Sequence, residues 1–242
     1  MKYFAVYLIL IGNMSQAQSF KSSQLNHSRV KGAFDEKGES IARLLEQKGV
    51  KQNSFQLFIQ AFKKEQELEV WVKPTGASTF EHLITYPFCS TSGTLGPKRR
   101  EGDLQIPEGV YFIQHFNPVS NFHLSLGINY PNASDKKLSD SKHPGGAIYI
   151  HGNCITIGCI PITDDKIKEL YALAVLAKDQ GQLKIPVHIF PARLDKGVPE
   201  KLSEQFPQHL DFWKQPQGVY LDFKSTHQLK PITISGGGAY TL

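Results

Sequence analysis

Ile150-His151-Gly152-Asn153-Cys154-Ile155-Thr156-Ile157-Gly158-Cys159-Ile160-Pro161-Ile162-Thr163 sets a histidine, two cysteines and two glycines between two regular elements. Just before it, Ala147-Ile148-Tyr149-Ile150 is an apolar run of strand length, so His151 is predicted at a strand end. From Thr163 onward the period becomes helical, with Ile167, Leu170, Tyr171, Ala174 and Ala177 on one face. Thr163 is the predicted N-cap, Asp164 and Asp165 fall in the first turn, and Gly181 follows the last. Cys159 therefore lies on a glycine-bearing connection that opens a helix. Its separation from His151 is too wide for one helix face but suits a strand end whose loop folds back.

That pairing points to nucleophilic chemistry. A thiol titrating near about 8.5 attacks better at neutral pH when an imidazole and backbone dipoles favour its thiolate. Cys159 is the candidate nucleophile and His151 its base. Gly158 frees the local backbone to aim amides at the oxygen of a tetrahedral intermediate, which makes Gly158 and Ile157 candidate oxyanion donors. No acidic side chain within the stretch is placed to hold the second imidazole nitrogen, so a backbone carbonyl is the expected partner.

Working outward, the chain before the stretch is β-rich. Phe55 to Ile59, Leu68 to Val72, Phe80 to Tyr86, Gly109 to Ile113 and His123 to Ile128 all read as strands, and a mainly antiparallel sheet follows. Asn132 to Gly146 reads as a loop. Behind the helix, Pro186 to Phe190 is another strand and Leu202 to Trp213 a second helix packed outside the sheet. Residues 18 to 35 are polar with little periodicity, and Ile41 to Leu45 ahead of Gly49 suggests a short amphipathic helix. At the N-terminus, Lys2, the apolar run Tyr3 to Gly12 and Ser15-Gln16-Ala17 read as a cleavable export signal. An apolar run that short falls well below the roughly 20 residues a membrane span requires.

The bulk composition, 40% hydrophobic and 20% charged over 242 residues, is that of one sizeable globular unit. A net charge of +5 without a nucleic-acid motif gives no reason to expect a nucleic-acid partner. The basic run Lys98-Arg99-Arg100 reads as a solvated loop. Three cysteines are an odd number for an exported chain, so at least one thiol is free or paired between chains. Cys89 is expected to pack in a strand and Cys154 to pack as a thiol, with a Cys154–Cys159 disulfide left open. A competing zinc reading would gather His143, His151, Cys154 and Cys159.

The same residues resemble the L,D-transpeptidase (YkuD-type) catalytic domain family, in its branch with a short interval from His-Gly to Gly-Cys. The match is carried by His151-Gly152, Cys154, Thr156, Gly158-Cys159 and Thr163-Asp164, and upstream by Leu95-Gly96-Pro97-Lys98, Gly102-Asp103 and Pro107 to Tyr111. Phe122 to Leu126, Tyr130-Pro131-Asn132 and Val187 to Pro191 extend it to roughly residues 55 to 225. Most such domains have a longer interval, a second histidine before Gly-Cys and a polar residue soon after; this chain has Ile157 and Pro161 there.

The resemblance implies a mainly β fold with flanking helices (α+β), Cys159 acylated, His151 as base, and the amides of 157 to 159 as oxyanion donors. It also suggests Gly152, Thr156, Lys98, His123 and Tyr130 as substrate contacts, with no cofactor and no metal. The implied division is a signal peptide over 1–17, a lead-in over 18–54, the catalytic core over 55–192 and a C-terminal extension over 193–242. The implied substrate is the peptidoglycan stem peptide, in the periplasm or cell envelope, with membrane contact only during export. An acceptor amine on another stem or on a wall-attached protein gives transfer, and water gives hydrolysis. A non-catalytic wall-binding module on the same fold is the alternative from another class.

Overall fold

The computed structural model describes residues 18–242; the export signal read over 1–17 lies outside the described residues. Two helices lead, α1 (Phe20–Leu25) and α2 (Ser28–Glu46). An antiparallel meander follows, formed by β1 (Phe55–Phe62), β2 (Glu67–Pro74) and β3 (Glu81–Pro87). Then come β4 (Gly109–Asn117), β5 (Ser125–Ile128), α3 (Ala133–Leu138), β6 (Tyr149–His151), β7 (Ile160–Pro161), α4 (Thr163–Asp179) and β8 (Ile185–Phe190). The chain closes with α5 (Glu200–Gln205), α6 (Leu210–Thr226) and a small hairpin, β9 (Thr233–Ile234) and β10 (Tyr240–Thr241).

The main sheet has eight strands in the order β3-β2-β1-β8-β4-β5-β6-β7. Pairing is antiparallel except at β1·β8 and β6·β7, so the sheet is mixed. Its central strands are buried on both faces, which is why they read as nearly continuous apolar runs. On β1, Leu57, Ile59 and Ala61 enter the large core shared with α2 and α4, while Phe58 and Phe62 meet Phe223 and Tyr220 of α6. The period of two along the strand sorts the two sets. Helix α4 is buried on nearly every side, Ile167 through Ala177, because α2 packs across its outer face.

Several local expectations change. The short helix expected near Ile41 is the end of the 19-residue α2, whose buried positions Val30, Ala33, Ile41 and Leu45 are separated by polar residues and by Gly32 and Gly38. Within the expected loop after Asn132 stands α3, started by a capping box in which Asn132 and Asp135 exchange side-chain and backbone bonds. The expected helix from Leu202 is broken at Phe206, because Pro207 excludes the α conformation from the residue before it. Thr163 begins α4 at φ +71° without a side-chain cap bond. Cys89 lies in a bend beyond β3 and forms a disulfide with Cys154.

One buried polar cluster joins the C-terminal helix to the sheet. Glu108 Oε1 lies 2.9 Å from Lys63 Nζ and accepts the Gly96 amide at 2.8 Å, while Oε2 accepts Trp213 Nε1 at 2.6 Å. Lys63 Nζ also donates to Gly96 O at 2.7 Å and Ile106 O at 2.8 Å. Every proton of the ammonium thus has an acceptor. Residues 95–108, fixed by this cluster, form the wall that approaches the glycine-rich stretch.

Candidate active site

Strand register brings His151 and Cys159 to one face. Ile150 pairs with Ile160 and His151 with Pro161 across the parallel β6·β7 contact. Ile150 and Ile160 both enter the core beneath α4, so alternation turns Tyr149, His151 and Cys159 to the opposite face of the sheet. The Tyr149 amide lies 3.4 Å from Cys159 Sγ, and the thiol lies 3.7 Å from its acceptor Ala147 O. Cys159 is the free cysteine of the three.

His151 is only 1% exposed. Its Nδ1 is bonded to the Gly152 carbonyl, the backbone partner expected above, which leaves Nε2 as the lone-pair nitrogen in this arrangement. Nε2 is buried and has no hydrogen-bond partner among the described residues. Phe122 covers the imidazole, with ring centroids 4.6 Å apart. Burial pulls the His151 pKa below its ordinary value, partly countered by the Gly152 carbonyl. Burial also raises the Cys159 thiol, against the Tyr149 amide and the Lys98 ammonium. Burial thus favours the neutral form of both groups, against the thiolate expected from the motif.

The loop between them is held at both ends. Cys154 is tied to Cys89, whose amide donates to Pro161 O at 3.0 Å. Thr156 Oγ1 accepts the Cys159 amide at 2.9 Å and the Gly158 amide at 3.3 Å, and donates to Cys159 O at 2.8 Å. Gly158 sits at φ +131°, and a Cβ there would lie 3.0 Å from Gln105 O. Gly158→Ala should therefore lower stability by about 1–3 kcal/mol; urea denaturation reads the change, and a wild-type midpoint would contradict it.

The remaining sequence candidates divide. Lys98 is 4% exposed, bonded to Asp103 Oδ1 at 2.6 Å and Arg100 O at 2.9 Å; it is not part of a solvated loop. Tyr130, its hydroxyl 2.8 Å from Pro144 O, lines a cavity of 350 Å³ with His115, Gly127, Ala147 and Tyr149. Ala147 and Tyr149, two of the residues that line this cavity, contact Cys159 Sγ through their backbones, while Cys159 and His151 are not among its lining residues. His123 is not among its lining residues: the charges that face it are Asp164, Lys168, Arg29 and Glu36, toward α2 and α4. Gly152 is buried with Asp164, Phe122 and Ile167 against it, which leaves no surface for a substrate. Ile157 is exposed, and so is His143. The zinc set does not assemble, because Cys154 is in the disulfide, and among the described residues no group of three or more candidate ligands gathers. The Cys89–Cys154 bond and the part played by Phe122 are features that sequence reading missed.

A sheet-rich fold with flanking helices, carrying histidine and cysteine on one face at a sheet edge, defines a domain of the L,D-transpeptidase class. The family model for the L,D-transpeptidase catalytic domain matches residues 57–189. The Escherichia coli K12 protein named "Putative L,D-transpeptidase YafK" is 34% identical over 181 residues, covering 74% of this chain and 70% of that one. Among solved structures, the helical cell shape determining protein Pgp2 of Campylobacter jejuni is 20% identical, with a TM-score of 0.44 over 81% of this chain and 80% of that one. Bdellovibrio bacteriovorus Bd1075 is 22% identical, with a TM-score of 0.40 over 67% of this chain and 56% of that one. The chain belongs to the L,D-transpeptidase catalytic domain family, whose members are peptidoglycan-modifying enzymes. No helix among the described residues is long and apolar enough to cross a membrane.

Proposed function

We propose that the protein is an exported acyltransferase that works on peptidoglycan stem peptides through a Cys159 thioester. The observation that carries this reading is the β6·β7 register, whose alternation puts the free thiol and the His151 imidazole on a common face, the thiol touching Ala147 and Tyr149 of a cavity wall. His151 Nε2 takes the thiol proton as Sγ attacks the carbonyl carbon of the diamino acid. The carbonyl oxygen becomes an oxyanion, received by amides of residues 157 to 159. Those of Gly158 and Cys159 are oriented by Thr156, whose hydroxyl gives way to the incoming oxygen. Collapse breaks the C–N bond, and the leaving amine takes its proton from the imidazolium. An acceptor amine, or water, then attacks the thioester.

Lys98 and Tyr130 border the substrate side, the Lys98 ammonium lying close enough to Cys159 to favour its anion. The disulfide suits an oxidising compartment, which supports export to the envelope.

Purified protein incubated with tetrapeptide-bearing muropeptides should form a mass adduct on Cys159 and release the residue that follows the diamino acid. Because burial holds His151 below its ordinary value of 6.5, kcat/KM should keep its plateau as pH falls to 6.5 and decline only at lower pH, where the base becomes protonated. An acid limb centred above 6.5, or no adduct on Cys159, would overturn the assignment.

A further inference from the structure

We infer that Asp164 is a positioning residue for His151, acting through the single peptide unit that joins Gly152 to Asn153. The carbonyl of that unit bonds His151 Nδ1, and its N–H is donated to Asp164 Oδ1 at 2.7 Å. A trans peptide is planar and its C=O and N–H point in opposite directions. Fixing the N–H on Asp164 therefore fixes the carbonyl on the imidazole, and rotation of the plane would break both bonds together.

The surroundings leave this unit little freedom. Asn153 holds a left-handed φ of +60°, and a Cβ on Gly152 would lie 2.4 Å from Asp164 Oδ1, so the carboxylate packs directly on the glycine. Asp164 sits in the first turn of α4, a helix anchored through the core. The neighbouring Asp165 forms an ion pair with Lys37, whereas Asp164 forms none among the described residues. Its distinctive contact is the Asn153 amide. The result is a relay of carboxylate, peptide and imidazole, in which the peptide fills the place that a carboxylate takes in a serine protease triad.

The catalytic meaning of this role rests on the acyl-transfer reading, but the tautomer it sets can be measured on the resting protein. Two-dimensional ¹H–¹⁵N spectra of the histidine side chains at pH 8 should show His151 as the Nδ1–H tautomer in the wild type. In Asp164→Ala the signal should move to a mixture of tautomers, with kcat lower by about tenfold and KM little changed. Asp164→Asn keeps an oxygen acceptor for the same amide and should restore both the tautomer and most of kcat. An unchanged tautomer in folded Asp164→Ala would overturn the inference. So would Asp164→Asn showing the mixed tautomer, a comparison that stands even if the alanine variant fails to fold. Absence of turnover on muropeptides by the wild type, with the tautomer responding as described, would refute the substrate reading and leave the positioning role in place.

Discussion

Cys159→Ala should reduce turnover on stem-peptide substrates by at least about 10³-fold while leaving the melting temperature close to that of the wild type. The side chain is half-buried, and its replacement removes one sulfur at a cost of about 1 kcal/mol or less. The disulfide that holds the loop uses Cys89 and Cys154, so the substitution leaves that restraint untouched. His151→Ala should also abolish turnover, but by a different route. The thiol would remain and would react slowly with a small alkylating agent at high pH, since burial raises its pKa and no base would then assist it. Alkylation rates across pH, followed by intact mass, separate the two variants. Turnover by Cys159→Ala at more than a few per cent of the wild-type rate would eliminate the thioester mechanism.

What the sequence made legible, and what it did not, follows from the range of the interactions involved. Strand β4 declares itself by alternation, β1 and β8 by short, nearly continuous apolar runs, and α4 by the helical spacing of its apolar residues, all of them local signals. The shared face of His151 and Cys159 is also nearly local: it needs one strand, one turn and one short parallel pairing. By contrast, α2 is a true amphipathic helix whose narrow stripe acquires meaning only against α4, some 130 residues later in the chain. The Cys89–Cys154 bond spans 65 residues and depends on the end of β3 arriving beside the Asn153 carbonyl, a contact that no cysteine spacing encodes. Lys98 reads as solvated until the turn returns Asp103 to its ammonium. Asp164, legible as a first-turn acid, shows its contact with the Asn153 amide only once the loop has folded onto α4.

Glu108→Leu should be the most damaging core substitution outside the site, lowering stability by about 3–5 kcal/mol. The carboxylate is fully buried, and its loss strands three donors at once: the Lys63 ammonium, the Trp213 indole N–H and the Gly96 amide. Of these the ammonium dominates, because an unpaired buried charge costs far more than a lost neutral hydrogen bond. Lys63 retains the Gly96 and Ile106 carbonyls, which soften the loss without neutralising the charge. Glu108→Gln keeps an acceptor for the neutral donors and should fall between the wild type and the leucine variant. Lys63→Met combined with Glu108→Leu should cost less than the sum of the single substitutions, since neither charge is then left alone. The consequences reach the active site through residues 95–108, which carry the Lys98–Asp103 pair beside Cys159 and the Gln105 carbonyl against Gly158. Urea denaturation of the four proteins measures the coupling. A cost below about 1 kcal/mol for Glu108→Leu would show that Lys63 reaches water or sheds its proton when Glu108 is removed.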